Sequence, residues 1–106
     1  MGAISIGKVT VTTAGTPVQV TATSTRCQAI SLQALSTNTG KIYVGNAQAM
    51  SKSTLANVLG VVAVPTANTI PSASISQQGT AGLDASSFWL DSDNSGEGVL
   101  VGLIQG

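Results

Sequence analysis

The chain of 106 residues has no histidine, one cysteine (Cys27), and one residue each of tryptophan, tyrosine and phenylalanine. These absences remove most catalytic machinery before any pattern is sought. Without histidine or a second cysteine there is no Cys/His cluster for zinc, no Cys/His nucleophile pair and no internal disulfide. Cys27 then reads as a small, half-buried apolar residue. Charge is equally scarce: Lys8, Arg26, Lys41 and Lys52 lie in the first half, Asp84, Asp91, Asp93 and Glu97 in the last quarter, and the net charge is zero. Four cations make no basic patch and three aromatics make no stacking platform, which argues against a nucleic-acid partner. No run approaches the ~18 apolar residues of a membrane span. The opening "MGAISIGKV" has neither the basic end nor the continuous apolar stretch of a signal peptide, and Ile6 stands where a myristoylation pattern needs Ser or Thr. The expectation is a chain made in the cytoplasm, with no cofactor, no membrane partner and no enzymatic activity.

What fills the space is Ser, Thr, Gln, Asn and Gly. With 42% hydrophobic and 8% charged residues, the surface must be polar yet nearly uncharged. A net charge near zero favours association, so such a chain suits life inside an assembly. The length is that of one domain with a single core, taken here as residues 1–106.

The texture is of short β-type runs between Gly, Pro, Asn and Ser clusters. In "ISIGKVTVTT", Ile4 and Ile6 share one parity and Val9 and Val11 the other, with Gly7 at the phase change, where a bulge would restore both pairs to one face. "VQVTA" and "AISLQA" alternate as half-buried strands, and "KIYVG" turns Ile42 and Val44 inward and Tyr43 outward. "MSKSTLANVLG" reads either as a short helix with Ser51 as N-cap and Gly60 as its stop, or as a loop followed by a strand. "GVVAVP", "SASIS" and "SSFWLD" read as further strands, "NTIP" as a turn and "QQGTAG" as a loop; "GVLVGLI" is apolar on both faces, as in a strand covered by sandwich or subunit packing. Gly40, Gly45 and Gly60 read as turn punctuation. Seven or eight short antiparallel strands of this kind predict an all-β domain, a single β-sandwich of jelly-roll type.

The segments "ISLQALSTNTGKIYVGNA" and "LDASSFWLDSDNSGEGVLV" resemble small structural proteins of tailed bacteriophages, in particular capsid decoration or cement proteins on the outside of the head. The likeness lies in residues 28–47 and 83–101; residues 48–82 do not share it. The resemblance implies a jelly-roll sandwich and a symmetric homo-oligomer, trimer or dimer, on the outer surface of the virion capsid, where it braces neighbouring copies of the major capsid protein. Residues 1–6 would be an extended N-terminal arm that adds a strand to a neighbour. Interface candidates are Met1, Ile4, Ile6, Tyr43 and Trp89, with Phe88 in the core. The alternative is a tail, fibre or carbohydrate-binding sandwich that recognises a host surface through aromatics near Trp89, Tyr43 or the 91–98 loop.

That loop, "DSDNSGEG", contains three of the four acids. Asp91, Asp93, Ser95 and Gly96 follow the first half of a calcium loop, but position twelve, where a bidentate Glu belongs, is Gly102. Asp91, Asp93 and Glu97 therefore remain weak cation candidates, and a plain hairpin turn uses the same residue types for their backbone conformations. Asp91 with Glu97 is the one carboxylate pair for glycoside hydrolysis, set aside because no aromatics surround it to bind a sugar.

Overall fold

A computed structural model describes residues 2–76 and 82–105 of the chain. Met1 and residues 77–81, most of the loop expected at "QQGTAG", lie outside the described residues. Ten strands follow in chain order: β1 (Gly2–Val11), β2 (Val18–Gln19), β3 (Arg26–Cys27), β4 (Ala29–Ala34), β5 (Ile42–Gly45), β6 (Val58–Val62), β7 (Ser72–Ser76), β8 (Leu83–Asp84), β9 (Trp89–Ser92) and β10 (Glu97–Gln105). A 3-10 turn, Ala85–Ser87, precedes β9 and is capped by the Asp84 carboxylate, which accepts from the Ser86 N–H. The strand expected over "SSFWLD" therefore begins only at Trp89.

The strands form two four-stranded antiparallel sheets, β1-β10-β4-β7 and β2-β9-β5-β6, with β3-β8 as a small separate pair. Setting β3 and β8 aside, each early strand pairs with a late counterpart: β1 with β10, β2 with β9, β4 with β7, β5 with β6. A long hairpin folded over on itself gives these pairings, and the order agrees with a jelly-roll winding. Alternation does the sorting of side chains. Ile30, Leu32 and Ala34 of β4, Val99, Val101 and Leu103 of β10, Ile42 and Val44 of β5 and Leu90 of β9 meet in one core between the sheets. Burying each such side chain contributes about 1.5–3 kcal/mol.

The phase change in β1 is a bulge, as its parity predicts. The register with β10 shifts between Ser5 and Gly7, so Ile6 has no partner and Gly7 takes a φ of +89°. Ile4 then lies opposite Leu103 and Val9 opposite Val99, both on the core face. One expectation changes form here. Residues 2–6 are not a detached arm; they are the first half of β1, paired along β10 as far as Gln105, because Ile4 and Ile6 find apolar neighbours on their own sheet.

Of the two readings of residues 50–60, the loop followed by a strand is the one observed. Leu55 and Asn57 hold positive φ angles of 63° and 61°, which a helix cannot contain, and the Ser51 N–H reaches over to the Ala56 carbonyl. Gly45 and Gly60 are strand residues in β5 and β6 and not turn punctuation. At Gly45 a Cβ would lie 2.5 Å from the Asn57 carbonyl oxygen, so the strand needs glycine for close approach.

Candidate functional site

The acidic stretch 91–98 is a corner and not a hairpin turn. β9 belongs to one sheet and β10 to the other, so the chain between them climbs from sheet to sheet. Two more segments cross at the same end of the sandwich: residues 12–17 between β1 and β2, and residues 35–41 between β4 and β5. Crossing loops leave backbone N–H groups without ladder partners, and such groups are costly if left unpaired. The acids supply the partners.

Asp91 is 2% exposed, and its Oδ1 accepts from the Gly15 N–H at 2.8 Å and the Ser92 N–H at 2.8 Å. Asp93 accepts from the Lys41 N–H at 3.1 Å through Oδ2 and from the Tyr43 hydroxyl at 3.0 Å through Oδ1. Glu97 takes both the N–H and the hydroxyl of Thr39 on Oε2, at 2.7 and 2.8 Å, and the Gly40 N–H on Oε1 at 3.0 Å. Ser95 contributes its hydroxyl to the Ala14 N–H at 2.9 Å, and the Gly96 N–H donates to the Val11 carbonyl at 2.8 Å. Asp91 is thus aimed at the 12–17 crossing, and Asp93 and Glu97 both at the 35–41 crossing. Among the described residues no group of three or more acidic, cysteine or histidine side chains is placed to hold a metal ion.

Asn38 completes the corner from the other side. β10 runs past the end of β4, whose last pair is Ala34 with Val99, so Gly98 has no strand beside it there. The buried Asn38 amide takes the place of the missing residue: its Nδ2 donates to the Gly98 carbonyl at 2.8 Å and its Oδ1 accepts from the Gly98 N–H at 3.3 Å. A carboxamide carries the donor and acceptor of a peptide group, which is why Asn fits.

The fourth acid locks the opposite end. Asp84 accepts from the Ser24 and Ser86 hydroxyls and from the Thr25 and Ser86 N–H groups, tying residues 24–25 to the 3-10 turn. The Ser24 hydroxyl, then the Ser86 and Thr25 donors, hold its carboxyl well below the ordinary carboxylate range. For Glu97, partial desolvation pushes the pKa up, but the combined donors of Thr39, Gly40 and Asn94 outweigh it and the net shift is downward. Burial, and next the nearby Asp84 charge, raises the Cys27 thiol, so the free cysteine rests in its neutral form.

The remaining sequence candidates are dispersed. Ile4 and Ile6 sit on the outermost strand of their sheet, Ile4 exposed and Ile6 packed against the core. Tyr43 and Trp89 are half-buried on the outer face of the other sheet, at diagonal positions of β5 and β9. Phe88 is buried in the core. The sequence reading passed over Asn38 and Asp84, since a lone Asn or Asp in a Ser/Thr-rich run looks like any turn residue. It also passed over the outward side chains of β10, Leu100 and Ile104, although the two-faced apolar pattern of "GVLVGLI" signals them. Comparison with models of protein families, with curated proteins and with solved structures finds no match to this chain.

Proposed function

We propose that this chain is a non-enzymatic structural protein of a tailed-bacteriophage virion, a capsid decoration or cement protein that sits on the outer surface of the shell and braces neighbouring major capsid subunits. The observation that carries the reading is the outer face of sheet β1-β10-β4-β7. Across its four strands runs the row Ser5, Gly102, Ser31, Ser74, flanked on β10 by Leu100 and Ile104, both large, apolar and exposed. Short side chains on a pleated sheet make a flat surface, and exposed leucine and isoleucine on it gain by being covered. A flat, charge-poor face suits a repeating lattice, because charge is depleted at interface cores. The carboxylates support the same reading from the other direction. All four accept hydrogen bonds from the chain's own loops, so they serve as corner locks and not as acids, bases or ligands.

The bracing is mechanical. Each copy bridges two or more capsid subunits, many modest contacts in a symmetric homo-oligomer give high avidity, and binding to the assembled lattice stabilises it by mass action. Residues 2–6 contribute to this as the outer edge of β1, and Tyr43 and Trp89, on the opposite face, do not share that contact.

The experiment mixes purified protein with shells that lack it and counts bound copies. Stoichiometric decoration, a higher temperature of shell rupture, and loss of both in Leu100→Lys establish the role; shells left bare by the wild type refute it. The second reading is a host-recognition module. It is favoured by the Tyr43 and Trp89 pair on one outer face, and binding to cells or glycans in place of shells would select it.

A further inference from the structure

Among the described residues, four strands have an outer edge free of a neighbouring strand: β1 and β7 in one sheet, β2 and β6 in the other. Soluble proteins protect such edges with charge, brevity or bulges, since an open edge invites another chain to pair. β1 carries Lys8 and its bulge, and β2 is two residues long. The other two edges, β6 and β7, lie against each other on one side of the sandwich. They have no such charge: from Ser53 to Leu83 the sequence contains no acidic or basic residue. β7 is regular along its whole pairing with β4, and β6 has only a bulge at Leu59.

The same stretch holds most of the exposed large apolar side chains of the described residues. Leu55 is 55% exposed, Leu59 50% and Val61 42%, and Val64 and Ile70 join them from the connection between β6 and β7. Leu55 is moreover held at a φ of 63°, a conformation leucine rarely adopts, with its side chain in solvent. Strain of this kind persists where the surroundings impose it.

We propose that the β6–β7 side of the sandwich is the surface through which two copies of this chain associate. An isologous contact sets one patch against itself, so a charge near the two-fold axis would meet its own copy. Strands β6 and β7 and their connection, which carry no charge in a chain whose eight charged residues all lie in 8–52 and 84–97, meet that condition. A partner of different sequence sets no such condition. The contact buries Leu59, Val61, Val64 and Ile70 against their counterparts, with the open strand edges alongside. It deepens the assembly reading by naming the face used for self-association, and leaves the flat face with Leu100 free for a lattice.

The test is sedimentation of the full chain over a concentration series, in the absence of shells so that self-association and shell binding are judged separately. The expected result is a monomer–dimer equilibrium in the wild type, a dissociation constant raised about a hundredfold or more by Leu59→Lys and by Val61→Lys, and an unchanged dimer in Leu100→Lys. Far-ultraviolet circular dichroism and melting of each variant verify that it is folded. A wild type monomeric at every concentration overturns the inference, even if it binds shells. So does an odd-numbered oligomer, or a dimer indifferent to both β6 lysines.

Discussion

Asn38 is expected to be worth far more than a loop residue, and the structure gives the magnitude. Asn38→Ala removes both bonds of the carboxamide to Gly98, at 2.8 and 3.3 Å, and leaves a buried N–H and a buried carbonyl without partners. Each orphaned backbone group costs about 1–3 kcal/mol, so the pair gives roughly 2–6 kcal/mol. That is a large share of the ~5–15 kcal/mol that holds a domain together. For a chain of this length, with an unfolding entropy of about 2.1 cal/mol/K per residue, the expected fall in Tm is roughly 10–25 °C. Urea denaturation followed by tryptophan fluorescence measures the change directly, with the m-value unaltered if only stability moves. Asn38→Asp is the companion variant, since it keeps the shape and the acceptor but loses the donor and brings a charge into a buried place; it should be at least as damaging. A loss below about 1 kcal/mol in Asn38→Ala would refute the reasoning, because it would mean that water reaches Gly98 and replaces the amide at little cost.

Two further outcomes concern Gly98 of the same corner and the carboxylates at both ends of the sandwich. In Gly98→Ala the added Cβ would lie 2.0 Å from the Val9 carbonyl oxygen and 2.9 Å from Thr10 Cα, both backbone, so β1 must shift off β10; a loss of at least about 3 kcal/mol is expected in chemical denaturation, and a fully stable variant would contradict the register. Asp84 and Glu97 are held ionised below their ordinary values of 3.8 and 4.5. The folded state therefore binds fewer protons than the unfolded chain in acid, and the stabilisation is present above those ordinary values and lost as the pH falls through the folded ones. Melting temperature against pH should drop in acid for the wild type and drop less steeply for Asp84→Asn, and identical slopes would show that the Asp84 carboxylate does not couple to folding.

How far the fold was legible depends on what each signal records. Strict alternation records which face of a strand is buried, so "AISLQA" became β4 without change and "GVLVGLI" fell inside β10. The parity break around Gly7 located a bulge, because only one extra residue reconciles Ile4 with Val9 on a single face. Two-residue strands such as β3 and β8 leave no periodicity to detect, and β2 stops at Gln19 where alternation alone carried it to Ala22. Polar loops record least of all. A turn within one sheet and a corner between two sheets both call for Asp, Asn, Ser and Gly, so the sequence of residues 91–98 could not say which it was. The difference lies in partners distant along the chain: Gly15 for Asp91, Lys41 for Asp93, Thr39 for Glu97.

The scarcity of charge gives those partners their meaning. In a chain with many acids, one carboxylate near a loop N–H is unremarkable; here there are four, and every one accepts from backbone N–H groups of a segment that crosses between sheets or caps a turn. Charged acceptors make stronger hydrogen bonds than neutral ones, by about a factor of two. Placing the few available charges at the corners fixes the places where a folded-over hairpin has no ladder of its own, and it leaves the outer face of β1-β10-β4-β7 and the β6–β7 side almost bare of charge. The features that lock the fold and the features that suit it to an assembly are thus two results of one distribution of eight residues along the chain. Moving a charge from corner to flat face should weaken both at once.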